Sequence, residues 1–464
     1  MQENAGGDQM GAGEFLLHWI GDMMRKPNII FMHSHNTGRY VQPYGHAVPT
    51  PNLQRLAEEG VTFRNAFAAA PTCSPSRAAF LTGQYPHESG MTGLAHRGWS
   101  LKDTRQHIVN TLGDSGYDTV LCGVEHTAPH GGNQVNMVGY GRVLEAKDSH
   151  AEHVGPAAVE FLKENHDRPF FMSVGLMETH IPFPDPEPGE HPQEDARYVR
   201  VPRPLPDHPR VREMMAGFKR SARIMDDCWG RILDTLDETG LAENTVVFCF
   251  SDHGLQFALN MCNLTDHGMA VYLVIRGPGG FEGGLVEEAM VSLIDLFPTA
   301  CELAKVDTPP WLRGRSIGPL IRGEETEHHD AVFAEVNFHA AYEPQRCVRT
   351  ARYKYIKRFD GRESPVMPNA DDTLSKEVLL EYGWDEQPRM QEMLFDLAFD
   401  PDETHNLIDD PKMKPVAEEM RDRLERWMRE TDDPLLAGPV PIPEGATANH
   451  PDQMSWREDA TVTG

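Results

Sequence analysis

The sequence predicts an α/β fold: a large, mostly parallel sheet sandwiched by helices, with a smaller C-terminal α+β domain of antiparallel sheet plus helix. Three observations carry this expectation. Short apolar runs recur without internal alternation, as strands buried on both faces require. Helical patterns stand between several of these runs, the arrangement that covers a parallel sheet on both sides. Near residue 345 the pattern changes to period-two alternation, which marks a half-exposed antiparallel strand.

Residues 1–24 read as an N-terminal tail. Its one apolar patch, Phe15–Ile20, has no basic start before it and no small-residue cleavage site after it, so a cytoplasmic protein is expected. The main domain is expected over 25–345. It opens with Asn28–Met32, an apolar run after Lys26 and Pro27 that reads as a buried first strand. Pro51–Gly60 reads as a short helix with proline in its first turn and a glycine stop. Further strands are expected at Thr119–Cys122, Phe170–Val174, Thr245–Phe250 and Val271–Ile275, with helices over 104–115, 151–165 and 209–239. Residues 181–208 are crowded with prolines and follow Glu178-Thr-His180, which suggests a lid beside an active site. The C-terminal unit and tail, 346–464, contain an alternating strand at Arg346–Lys357, another at Glu392–Leu397, and an amphipathic helix over 412–431.

The chain of 464 residues can bury a large core, and no apolar run approaches the length of a membrane span. A formal net charge of −28, with only 11 lysines among 43 basic residues, disfavours nucleic acid and anionic membranes as partners. An anionic substrate must therefore find a locally positive pocket. The seven cysteines have no paired spacing, which argues against a disulfide framework or a zinc ribbon.

Ligands of open α/β sheets collect at the carboxyl ends of the strands. Four such ends here carry polar, metal-competent residues: His33-Ser-His-Asn36, Glu125-His126, Glu178-Thr-His180 and Ser251-Asp-His-Gly254. Cys73 admits three readings. It is a small buried thiol, a thiolate nucleophile, or the precursor of a different group. The third reading comes from its surroundings. Cys73-Ser-Pro-Ser-Arg77 followed by Ala78-Ala-Phe-Leu-Thr-Gly83 closely resembles the signature of type I, formylglycine-dependent sulfatases of the alkaline phosphatase superfamily. Lys26-Pro-Asn-Ile-Ile30 resembles the family's opening strand, and Ser251-Asp-His-Gly254, Val291–Ala300, Leu312–Ser316 and Leu394–Leu407 resemble its later segments, so the likeness runs from Lys26 to about Pro434.

That resemblance implies a sulfuric ester or sulfamate hydrolase acting on a small anionic substrate, with sulfated sugars among the candidates. It implies 3-oxoalanine (formylglycine) at Cys73, made by a formylglycine-generating enzyme, and one divalent metal, Ca2+ by family default. Such a residue, as its hydrate, carries two hydroxyls on one carbon: one attacks sulfur, and the other collapses to the aldehyde and releases sulfate. The implied catalytic residues are Cys73, Arg77, His126 and His180, with Arg77, His126 and His180 contacting substrate. The implied metal ligands are His35, Asn36, Asp252, His253 and Cys73. Thr72, Ser74 and Pro75 suit a helix start, where free backbone N–H groups favour an anion.

Two departures stand out against the family pattern. Its adjacent aspartates after the first strand become His35 and Asn36, which leaves Asp252 as the one carboxylate and shifts preference from Ca2+ towards Zn2+ or Mn2+, with Mg2+ also possible. Two lysines expected near the sulfate fall at Val124 and near Met261, with His33, His87, His96, Arg97 and His267 as candidate substitutes. A phosphodiester or phosphonate hydrolase of the same superfamily, or an impaired homologue that only binds a sulfated ligand, are the alternative functions.

Overall fold

The computed structural model describes residues 26–128, 138–185 and 191–464. The tail expected over 1–24, and residues 186–190 of the expected lid, lie outside the described residues. The first sheet has nine strands. They are β1 (Asn28–Ser34), β2 (Val61–Phe67), β3 (Asp118–Gly123), β4 (Arg142–Val143), β5 (Phe170–Gly175), β6 (Thr245–Ser251), β7 (Ala270–Val271), β8 (Leu273–Arg276) and β9 (Leu285–Ser292). Their spatial order is β4-β3-β5-β1-β6-β8-β2-β7, with β9 paired to β2. The pairings β4-β3-β5-β1-β6 and β2-β9 are parallel, whereas β7 and β8 run antiparallel to their neighbours.

The continuous apolar runs have a physical reason. Along β1, Ile29 and Phe31 enter one core while Ile30 and Met32 enter the other, so neither face can be polar. Helices Pro51–Glu59, Ala151–Leu162 and Pro209–Glu238 cover the second core through Leu56, Val154 and Trp229. Helices Cys73–Thr82, Ile108–Asp114 and Leu296–Ala304 cover the first through Phe80, Leu112 and Phe297. Truncating a core aromatic such as Phe31 to alanine costs about 3–5 kcal/mol. Among the described residues, no helix is long and apolar enough to cross a membrane.

The second sheet is antiparallel, in the order β10 (Ala331–Phe338), β11 (Tyr342–Thr350), β12 (Tyr353–Arg358), β13 (Glu392–Asp396). Val348, Tyr355 and Leu394 face helix Lys414–Glu430, where Trp427 stacks on Phe333. The opposite face, with Val336, Cys347 and Ile356, packs on Phe67 and Met290 of the first sheet and on Met269 just before β7.

Several details differ from the sequence reading. The helix expected over 104–115 is a 3-10 turn, Thr104–Gln106, and a helix, Ile108–Asp114, separated by the extended backbone of His107, whose side chain caps the second piece. The strand expected at Val271–Ile275 is split at Tyr272 between β7 and β8. The strand expected at Arg346–Lys357 is a hairpin, because the Thr350 hydroxyl accepts from the Tyr353 N–H at 3.0 Å and closes a turn. β2, β9 and β10 were not legible. Arg64 and Asn65 interrupt the first, and the leading half of the second is exposed. β10 packs residues on both faces, Val332, Ala334 and Val336 on one and Ala331, Phe333 and Glu335 on the other, so its alternation is hidden, and the boundary expected at residue 345 falls inside β11 while the second sheet begins at Ala331.

Candidate active site

β3, β5, β1 and β6 are adjacent and parallel, so their carboxyl ends form one edge. Beyond that edge stand His126, His180, His35 with Asn36, and Asp252 with His253. Asn36 has a left-handed backbone (φ 62°), a conformation that asparagine tolerates, and it turns the chain back over β6. The N–H groups of Thr37 and Gly38 then both donate to the Ser251 hydroxyl at 3.0 Å.

Asp252 is the hub. Its Oδ1 accepts from the N–H groups of Asn36 and His253, each at 2.8 Å. Its Oδ2 faces Arg77 Nη2 at 3.0 Å and His35 Nε2 at 3.5 Å. Arg77 and Asp252 are wholly buried, so each charge depends on the other. Arg77 Nη1 lies 2.9 Å from His33 Nδ1, whose Nε2 meets the Ser173 hydroxyl at 2.9 Å. His33 thus sits behind Arg77, inside the sheet, and orients it.

Cys73 is the first residue of helix Cys73–Thr82, after an extended Thr72. Gly83 (φ 66°) ends that helix by donating to the Ala79 carbonyl. The Cys73 sulfur lies 3.4 Å from His253 Nε2 and 3.8 Å from Asn36 Oδ1. Burial and the Asp252 carboxylate push the thiol well above its ordinary pKa, which disfavours the thiolate reading.

The imidazoles are kept neutral. Burial and then the Arg77 guanidinium hold His35 well below the usual histidine range, and burial lowers His253 and His180 as well. His253 Nδ1 faces the Gly254 carbonyl at 3.1 Å, so it carries the proton and Nε2 keeps a lone pair towards Cys73. His35 is 3% exposed, and neither of its ring nitrogens has a hydrogen-bond partner. An orphaned, neutral imidazole beside a carboxylate fits a metal. Donor atoms of His35, Asp252 and His253 lie within 4.8 Å of one another, as do those of His35, Cys73 and His126.

His126 has a left-handed backbone (φ 67°), and its ring stacks on His96 with Nε2 3.2 Å from His96 Nδ1. His180 Nδ1 donates to the Ile181 carbonyl, and Nε2 lies 3.2 Å from the Gln256 amide nitrogen. Other strand-end residues serve the scaffold. Glu125 accepts from Thr127 and Ala128 N–H groups, and Glu178 accepts from Ala151 N–H. Among the suggested cation substitutes, His87 pairs with Glu335 and His267 faces the Asp402 carbonyl, both away from this site, whereas His96 and Arg97 line its cavity. Val124 and Met261 are buried apolar residues.

The cavity, about 820 Å3, is lined by Cys73, His126 and His180, and by residues 181–185 of the expected lid. Sequence reasoning missed Gln256, His339 and Asp371, which also line it. Gln256 stands two residues past Gly254 and could have been found by extending that motif. Its Oε1 accepts from Asn36 Nδ2 at 2.7 Å and Ile181 N–H at 3.0 Å, and its amide donates to Asp371.

Comparison with known proteins gives a matching frame. Residues 20–306 match the family model described as Sulfatase, and residues 260–368 match the model of the N-sulphoglucosamine sulphohydrolase C-terminal region. The N-sulphoglucosamine sulphohydrolase of Homo sapiens is 29% identical, over 85% of this chain and 88% of the human protein. A solved structure described as being in complex with its substrate D-glucosamine-2-N,6-O-disulfate superposes with a TM-score of 0.69 at 19% identity, covering 88% of this chain and 99% of the other. The phosphonate monoester hydrolase of Agrobacterium radiobacter superposes at 0.67 with 21% identity, covering 89% and 97%. At these identities the two structural likenesses speak for the fold alone.

Proposed function

The chain belongs to the sulfatase family, and from that membership we propose that it hydrolyses a sulfuric ester or sulfamate on a sugar, using Cys73 matured to formylglycine and one divalent metal. The observation that carries the proposal is Cys73 at a helix start, beside the buried Arg77–Asp252 pair and the orphaned His35. The human relative's name, N-sulphoglucosamine sulphohydrolase, supports a sulfated sugar as substrate.

As a formylglycine hydrate, residue 73 supplies one hydroxyl to attack sulfur and a second whose collapse to the aldehyde releases sulfate. The remaining roles fall to side chains of this chain. Arg77, held by Asp252 and His33, offers a fixed cation at the sulfate oxygens. Backbone N–H groups at the helix start add to that field. His126 sits where it can take the proton of a residue-73 hydroxyl. His180, its Nδ1 committed to Ile181, takes up and hands on a proton at Nε2, where the leaving oxygen or nitrogen needs one.

His35, Asn36, Asp252, His253 and residue 73 would hold the metal. Calcium prefers a shell of oxygens, whereas this set offers two imidazoles, one carboxylate and one amide oxygen. We therefore assign the site to Zn2+ or Mn2+ in preference to Ca2+. The metal supplies charge that stabilises the deprotonated hydroxyl of residue 73.

Mass spectrometry of the Cys73 peptide, after co-expression with a maturation enzyme, tests the proposal. It is expected to find the aldehyde; an unmodified thiol would sink it. Metal analysis of the same sample and rates on an aryl sulfate against an aryl phosphonate monoester then separate sulfatase from phosphonate hydrolase.

A further inference from the structure

On the reading that this cavity takes a sulfated sugar, we propose that its outer wall is a second anion subsite. Arg97 and His339 would bind a carboxylate or second sulfate on the substrate, beside the group being removed.

Arg97 is a half-buried cavity residue whose hydrogen-bond partners are all neutral. Its Nη1 donates to Asn449 Oδ1 at 2.8 Å and towards the Ala340 carbonyl at 3.5 Å, and its Nη2 donates to the Trp456 carbonyl at 3.3 Å. Arg77, by contrast, is ion-paired with Asp252 at 3.0 Å. Three neutral acceptors fix the Arg97 guanidinium without cancelling it. A positioned cation with no carboxylate in ion-pair contact, felt only at longer range by Asp371, attracts an anion in a cavity wall, even on a chain of formal charge −28.

His339 supplies the independent observation. It lines the same cavity, is 7% exposed, and its Nδ1 has no hydrogen-bond partner. It stands in the turn between β10 and β11, and the next residue's carbonyl, Ala340, also accepts from Asn449 N–H at 2.8 Å. Arg97 and His339 are therefore set by one turn. Burial and then the Arg97 charge depress His339 to a pKa of about 3, so it meets a ligand as a neutral imidazole with Nδ1 or Nε2 protonated. Arg97 is linked to the reaction centre through its neighbour, since His96 stacks on His126 with ring centroids 5.5 Å apart. Trp456 adds an aromatic wall on which a sugar ring can pack.

Five carboxylates line the cavity, Asp185, Glu213, Asp371, Asp372 and Glu377, the last of them paired with Arg210 at 3.3 Å. Asp372 is neutralised by Lys376 at 2.9 Å and meets Arg457 at 3.6 Å. Asp371 is committed to the Gln256 amide beside His180, so it suits sugar hydroxyls on that side. Among the described residues none of the five forms an ion pair with Arg97; Asp371 acts on it only at longer range, so the anion subsite is assigned to the Arg97–His339 wall.

The test uses full-length, matured, metal-loaded enzyme. The ratio of kcat/KM for D-glucosamine-2-N,6-O-disulfate to that for glucosamine N-sulfate reads the second sulfate. A sulfated disaccharide with a uronate, against its neutral counterpart, reads a carboxylate. Arg97→Met is expected to lower whichever ratio is high by about tenfold, and His339→Ala by about threefold, in line with loss of charged and neutral hydrogen bonds. Arg97→Lys keeps the charge and should restore most of the Met loss. A purely structural Arg97 would lower the melting temperature and leave both ratios unchanged, which overturns the subsite. If the matured enzyme turns over no sulfate ester, the parent reading fails. The same sugars titrated against tryptophan fluorescence then decide the subsite: a preference for the doubly charged sugar that Arg97→Met removes upholds it, and no preference overturns it.

Discussion

Two of the buried charged clusters in this protein differ in whether their polar atoms are already satisfied. In the first, around Asp252, His35 has two orphaned ring nitrogens and His253 directs a lone pair at Cys73. In the second, His87 and Arg346 meet Glu335 and Asp433, all 0–4% exposed. There both His87 nitrogens face acceptors, Glu335 Oε2 at 2.8 Å and the Thr431 carbonyl at 3.1 Å. Arg346 reaches Asp433 at 2.9 Å, Glu335 at 3.2 Å, and the Val336 and Gln345 carbonyls. The lesson is that burial and charge alone do not mark a site. Unspent donor and acceptor capacity does, because a saturated cluster has nothing left to bind with.

If that contrast is right, damage to the first cluster removes function and damage to the second removes stability. Cys73→Ala should cut sulfate-ester turnover on the order of 10^4-fold or more. Its unfolding midpoint should barely move, since the sulfur has only two polar contacts, at 3.4 and 3.8 Å. Retained turnover would show that residue 73 is not the nucleophile. Arg346→Met leaves Asp433 buried without its cation and Glu335 with His87 alone, and should cost about 3–5 kcal/mol in chemical denaturation. Turnover per folded molecule should be kept. Asp252→Asn should weaken metal binding by more than about a hundredfold, beyond what loss of an outer-shell partner does. Titration of the metal-stripped protein with Zn2+ measures this, and undiminished affinity would remove Asp252 from the ligand set.

The sequence made one half of this contrast legible. The Cys73–Arg77 motif and the four strand ends are local, so a few consecutive residues state their chemistry. Yet His33 and His35 look alike on paper. The first lies within β1 and supports Arg77, while the second lies one residue past the strand with its ring 4.8 Å from that of His180. Only the point where the strand ends separates them. His339 and Asp371 reach the cavity from loops around the second sheet and Trp456 from the C-terminal tail, far along the chain, and no local pattern announces them. The saturated cluster was equally hidden, because His87 joins Glu335, Arg346 and Asp433 only through tertiary packing. The parallel sheet was readable from uninterrupted apolar runs, whereas β2 and β9 were not, since each carries polar or exposed residues.

The smallest effect tests the second cluster by pH. Burial acts to lower the His87 pKa, but the Glu335 charge and hydrogen bond outweigh it, and the net shift is upward. A raised folded-state pKa means that His87 stabilises the fold fully below its unfolded value, about 6.5, and loses that contribution as pH climbs through the folded value. Burial raises Glu335, yet His87 and Arg346 together bring it down to about 2, so its share is lost only in strong acid. Between pH 6 and 9, His87 is therefore the member of this group whose protonation changes. Wild type should be more stable than His87→Gln at pH 6 by on the order of 1–2 kcal/mol, the worth of a charge-assisted hydrogen bond. That lead should shrink as pH rises to 9, and denaturant midpoints across the range measure it. A lead that stays flat with pH would mean that His87 is neutral, that one of its nitrogens has no proton to give, and that the second cluster is not saturated after all.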